Sequence, residues 1–216
     1  MAVMSIAASS RTPLRCNANS RPQRRHILFG MVATLASIAT SHGVVAQESD
    51  IPDFRSGRFQ FTVLRPRQIL PSIRLFQLDD KTIDLSSLRG RPVLLNFWAT
   101  WCPACRTELP ILERLQELHR RRGLRVIAVS EDRSERAIVE RFVNSLSIRN
   151  LAIYLDPNGY VAFSDPDNRR NAPFALYGMP ITYAIAASGW IVGYMPGAAD
   201  WSSAAAGSVI EFLHRS

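Results

Sequence analysis

The sequence predicts an α/β sandwich built on a mixed β-sheet, and three observations carry that prediction. Apolar runs of strand length alternate with amphipathic helical stretches. One run, "RPVLLNFWA" (91–99), is apolar almost throughout, as expected of a central strand covered on both faces. The chain then closes with two strands joined by a three-residue turn, followed by a helix. Its 216 residues, 47% hydrophobic and 20% charged, suffice for one globular domain with an appendage.

Each element has a local reason. Residues 47–72 are irregular and read as a linker, with "FQFTVL" (59–64) as a short strand inside it. "IRLFQLDDKTIDLSSL" (73–88) alternates about the Asp79-Asp80 turn and reads as a hairpin. After the 91–99 strand a helix is expected from Pro103 to about Arg122. Leu109, Leu112, Leu115 and Leu118 recur along it, Pro110 should kink it, and Gly123 ends it. "LRVIAVS" (124–130) is the next strand, 134–146 the next helix, and "LAIYLDPNG" (151–159) a strand running into a turn. The polar stretch "SDPDNRRNAPFALYG" (164–178) leads into strands at 181–186 and 190–195, and 203–214 is the last helix.

The formal charge of +8 is less informative than its distribution. Residues 1–46 hold Arg11, Arg15, Arg21, Arg24 and Arg25 and no acidic residue, so most of the excess belongs to this leader. The charge therefore gives no reason to expect a nucleic-acid partner. An apolar stretch at 27–46 follows the arginines, and "VVAQ" offers small residues at Val44 and Ala46. This reads as an export signal cleaved after Ala46. The alternative is an uncleaved membrane tether through 27–46, which approaches the ~20 residues that span a bilayer. Arg24-Arg25 partly resembles a twin-arginine signal. Each route places the domain outside the cytoplasm.

Of three cysteines, Cys16 lies in the leader, so residues 47–216 carry only Cys102 and Cys105. These fall at the start of the first long helix. Unpaired N–H groups and the helix dipole there favour a thiolate, so Cys102 is the expected nucleophile. Pro103 has no N–H to lose at the first helical position. Cys105, three residues on, is placed to attack a mixed disulfide formed at Cys102. As a structural staple the bridge would close too small a loop to matter much. As a zinc site the pair lacks a second pair, and haem attachment would need a histidine where Arg106 stands.

These residues resemble a family. "NFWATWCPACRTELP" (96–110) is similar to the active-site stretch of thioredoxin-fold proteins, specifically exported thiol-disulfide reductases of the TlpA/ResA type. The resemblance covers residues 73–214 and implies a thioredoxin-like three-layer sandwich over 73–216, a mixed β-sheet with helices on both faces. Three further segments agree with it. "GMPITY" (178–183) matches the family's cis-proline, which implies that Pro180 lies beside Cys102 and that Met179 presents its backbone to substrate. Ile181 departs from the usual threonine. Glu108 stands where the ResA branch has a glutamate that tunes the thiols, a candidate proton acceptor, with a solvated helix position as the alternative. Asn96 stands where thioredoxin has a buried aspartate, so that mechanism does not transfer unchanged. "GAADW" (197–201) is similar to the family's G-P-A-E-W segment, with Ala198 replacing the proline.

By resemblance Cys102, Cys105, Pro180 and Glu108 are catalytic, and Trp101, Pro103, Ala104 and Met179 contact substrate. Trp98 reads as core and Trp101 as rim. The implied activity is reduction of disulfides in client proteins through the cysteine pair, with no cofactor or metal. The TlpA branch implies clients in copper-centre assembly of an oxidase, and the ResA branch apocytochrome c. The implied electron source is a membrane relay of the DsbD/CcdA kind, and the implied location the periplasm or the outer face of a bacterial inner membrane. Two readings compete: a disulfide donor or isomerase, since direction depends on potentials, and a Cu(I) metallochaperone using two soft thiolates.

Overall fold

A computed structural model describes residues 51–133 and 135–216. The expected export signal or anchor at 1–46, Cys16, and Ser134 at the expected start of the second helix lie outside the described residues. The strands and helices in order are β1 (Arg55–Ser56), β2 (Phe59–Gln60), β3 (Thr62–Ile69), β4 (Arg74–Gln77), β5 (Thr82–Asp84), β6 (Val93–Trp98), α1 (Pro103–His119), β7 (Arg125–Ser130), α2 (Arg136–Ser145), β8 (Ala152–Leu155), β9 (Ala162–Phe163), β10 (Phe174–Ala175), β11 (Ile181–Ile185), β12 (Trp190–Pro196) and α3 (Ala204–Arg215).

Eight strands form one mixed sheet in the order β3-β12-β11-β6-β7-β8-β4-β5. The β6, β7 and β8 strands are parallel, joined by crossovers through α1 and α2, while β11 closes antiparallel on the other side of β6. This makes β6 the central strand, and all six of its residues are buried. Successive side chains point to opposite faces. Leu94 and Trp98 join the cluster under the helices, whereas Val93, Leu95 and Phe97 join the cluster on the other face.

The helices bury their apolar stripes on the first of these clusters: Leu109, Leu112 and Leu115 of α1, Val139 and Phe142 of α2, Val209 and Ile210 of α3. Each such side chain contributes about 1.5–3 kcal/mol by leaving water. Helix α1 continues through Pro110, and a short 3-10 turn at Arg120–Arg122 carries the chain to Gly123, whose φ of 94° suits glycine. The basic run there is a solvated helix end, and Arg122 pairs with Glu211 of α3.

Two expectations are corrected. Residues 47–72 are not a linker where they are described. Strand β3 pairs with β12 at the edge of the main sheet, and Phe54, Phe61 and Leu70 are fully or nearly fully buried. Gly193 of β12 permits that pairing, since a Cβ there would come within 2.3 Å of the Thr62 carbonyl oxygen. Second, the thioredoxin-like class holds, but α1, α2 and α3 all pack on the first face. The second face is closed by the short 3-10 helix Leu85–Leu88 and by Leu70, Val161, Ala162 and Phe174, which come from loops and short strands. The segment between β8 and β11 is rich in Asp, Asn, Gly and Pro, which favour turns over helix. It is held instead by the Asp156 carboxylate, which accepts the N–H groups of Tyr160, Val161 and Ala162 at 2.8–3.0 Å.

Candidate redox site

Strand β6 delivers the chain into the turn 99–101, and Cys102 is the N-cap residue of α1. The Cys105 N–H donates to Cys102 Sγ at 3.1 Å, so this sulfur takes the place that a serine or aspartate oxygen usually fills. Pro103 is the first helical residue, as the sequence suggests. Cys102 and Cys105 are joined as a disulfide with Cα atoms 5.3 Å apart. Cys105 is 1% exposed and Cys102 5%, while Pro103, Ala104 and Trp101 beside them are exposed. The bond is therefore presented at the surface through a small window edged by an indole that is 67% exposed. Trp98 is core, stacked on Phe142 with centroids 5.4 Å apart.

Pro180 is buried, and its bond to Met179 is cis. It precedes β11, whose first residue Ile181 pairs with Phe97 of β6, the strand that leads into the cysteine turn. Met179 packs on the cluster that contains both cysteines and lines, with Trp101, a cavity of about 530 Å3. The other wall of the cavity comes from the segment after β8, including Phe163, Leu176 and Arg170. Trp101, the neighbour of Cys102 in the chain, and Met179 thus line one cavity.

Glu108 is not on a solvated face. It is 1% exposed on the buried side of α1, one turn beyond Cys105. Its Oε1 accepts the Ala199 N–H and the Trp201 indole N–H, each at 3.0 Å, and its Oε2 accepts the Asn96 amide at 2.9 Å. Asn96 also donates to the Thr182 hydroxyl at 2.9 Å. Burial pushes the Glu108 carboxyl up to about 7, and these hydrogen bonds hold it from rising further. A carboxyl of that affinity can hold or release a proton near neutral pH. The "GAADW" segment reaches that carboxylate through Ala199 and Trp201.

Sequence reasoning missed three other acids around the turn. Asp132, 3% exposed, accepts from Thr100 N–H, Thr100 Oγ1 and Ser130 Oγ. Glu131 lines the cavity, and its Oε1 is buried without a hydrogen-bond partner among the described residues. Burial first, and the charge of Asp156 second, push its carboxyl up to about 8. Asp156 also lines the cavity. In the sequence these acids resemble ordinary post-strand turn residues, and only the tertiary pairing of β6, β7 and β8 separates them from those.

A helix tip bearing a cysteine pair, a cis-proline before the neighbouring strand and a mixed central sheet define a thioredoxin-like protein. The chain belongs to the AhpC/TSA family, whose profile matches residues 66–192. It is 34% identical over 122 residues to the thiol-disulfide oxidoreductase ResA of Oceanobacillus iheyensis, covering 56% of this chain and 58% of that protein. It is 33% identical over 126 residues to the thiol:disulfide interchange protein DsbE of Yersinia pestis, covering 56% and 59% respectively. The chain thus spans under two thirds of the length of these curated relatives. Its fold is similar to that of a secreted thiol-disulfide isomerase from Corynebacterium glutamicum, with a TM-score of 0.56 at 19% identity, covering 78% of this chain and 95% of that one.

Proposed function

We propose that the protein is an exported thiol-disulfide oxidoreductase that reduces disulfides in client proteins. The observation that carries this reading is the Cys102–Cys105 disulfide capping α1 with the Glu108 carboxyl buried one turn below it. In the dithiol form, the Cys102 thiolate attacks a client disulfide, forms a mixed disulfide and releases one client thiolate. Cys105 gives up its proton, with Glu108 as acceptor, and attacks Cys102 Sγ. The second client thiolate leaves, and the protein is left with the 102–105 disulfide. Two electrons pass from protein to client, so each turnover needs a donor to restore the dithiol.

The reading is supported by the names of the curated relatives, a thiol-disulfide oxidoreductase and a thiol:disulfide interchange protein. Trp101, Pro103, Ala104 and the Met179 backbone form the client contact, and Pro180 sets the Met179 approach. A membrane relay of the DsbD/CcdA kind supplies electrons, and the clients belong to cytochrome c maturation or oxidase copper-centre assembly, outside the cytoplasm. The pair works without a cofactor.

Insulin reduction tests the activity. The reduced protein in a Cys16→Ser background should convert one insulin disulfide per dithiol consumed, and Cys102→Ser should lose the reaction by at least 10²-fold, as expected for loss of a nucleophile. Equal rates in the two proteins would refute the proposal.

A further inference from the structure

Asp132 has no part in the mechanism above, yet its carboxylate is buried and accepts three hydrogen bonds beside the cysteine turn. It stands two residues beyond the end of β7. Its Oδ2 accepts the Thr100 N–H at 2.9 Å and the Ser130 hydroxyl at 2.7 Å, and its Oδ1 accepts the Thr100 hydroxyl at 2.6 Å. The backbone reinforces this: Trp98, paired with Ser130 at the end of the parallel ladder, accepts the Glu131 N–H at 2.8 Å. The turn between β6 and Cys102 is thereby fastened at Trp98 and at Thr100 to the two residues that follow β7.

We infer that Asp132 and Thr100 are positioning residues that keep Cys102 at the N-cap of α1 once the disulfide has opened. This deepens the reductase reading and rests on it for its significance. In the disulfide form the covalent bond to Cys105 itself holds Cys102 Sγ near the helix start. In the dithiol that tether is gone. The sulfur then remains under the Cys105 N–H only if the backbone of 99–102 cannot move. A thiolate held there is stabilised by the helix end, and one that swings away is not. Both oxygens of Asp132 grip one threonine, which fixes the turn in position and in orientation, and its burial keeps water from competing for those bonds.

The test uses the full chain with Cys16→Ser and Cys105→Ser, so that Cys102 alone is alkylated by iodoacetamide across a pH series. Thr100→Val removes the hydroxyl bond and leaves the charges of Asp132, Glu131, Glu108 and Arg106 in place, so a shift reports geometry. It should raise the pH of half-maximal alkylation by about half a unit and slow the reaction at pH 7 about threefold. Thr100→Ser, which restores the hydroxyl, should return both to their original values. Ser130→Ala removes two bonds to Asp132, one to its Oδ2 and one from its N–H, but leaves both Thr100 bonds, so it should lower stability without moving the alkylation profile. An unmoved profile in folded Thr100→Val would overturn the inference, as would an equal shift in Ser130→Ala. If Thr100→Val does not fold, Thr100→Ala, which also removes the hydroxyl and keeps every charge, is read in the same way against Thr100→Ser. Failure of the reductase reading is separate, because insulin reduction would then be absent while the alkylation profiles still decide the clamp.

Discussion

Cys105→Ser is expected to convert the protein from a turnover catalyst into a trap. With the resolving thiol gone, the mixed disulfide at Cys102 has no intramolecular exit, so client proteins should accumulate as covalent adducts. The adducts should separate as slow bands on non-reducing gels and collapse on adding a reductant. Cys102→Ser should give none, because Cys105 is 1% exposed and lies behind Cys102. The asymmetry follows from position on α1: one sulfur caps the helix, and the other is one turn inside it among core side chains. Equal trapping by the two variants would show that the assignment of nucleophile and resolver is wrong.

Glu108→Gln should have two separable effects. The first is on stability against pH. Burial raises the Glu108 carboxyl from 4.5 to about 7, so the folded state holds its proton more tightly than the unfolded state. The corresponding stability is fully present below about pH 4.5 and is lost as pH rises through 7. The shift amounts to about 3 kcal/mol across that window. Glutamine does not titrate, so the variant's loss of stability between these limits should be smaller by that order, read as the difference between two urea series. Glu131 contributes a similar slope extending to about pH 8 in both proteins and cancels from the difference. The second effect is on rate. In the proposed mechanism Glu108 accepts the Cys105 proton during resolution, so that step should slow about 10²-fold while the attack by Cys102 changes little. An unchanged stability profile would contradict the buried state of the carboxyl. An unchanged resolution step would contradict its role.

The redox pair was the most legible part of the molecule, because its chemistry depends on local spacing: two cysteines, a proline between them, and a strand ending where a helix begins. The central strand was legible for a related reason, since burial on both faces leaves a continuous apolar run. Strand β3 was not. An edge strand with one open side carries Arg65, Pro66 and Arg67, and such polar interruptions read as a linker until β12 is seen beside it. On the second face the Asp, Asn and Pro of 156–173 favour turns over an α-helix, and the short 3-10 helix Leu85–Leu88 stands there with them.

Among the site residues, Glu108 was visible as a position but not as a buried one. Its environment is made by Trp201, 93 residues away, and by an asparagine on the neighbouring strand. Asp132 and Asp156 were hidden for the same reason. A carboxylate that fastens a turn differs from a solvated one only in what folds against it.

The central claim is that Cys102 and Cys105 donate electrons, and the reduction potential of this pair tests it most directly. It can be measured on the Cys16→Ser protein by equilibration with glutathione and followed by tryptophan fluorescence, since Trp98 and Trp101 flank the turn. The account predicts a value near that of thioredoxin, about −270 mV, low enough to reduce labile client disulfides of higher potential. A value of about −180 mV or higher, the range of disulfide isomerases and donors, would contradict it and reverse the direction of electron flow.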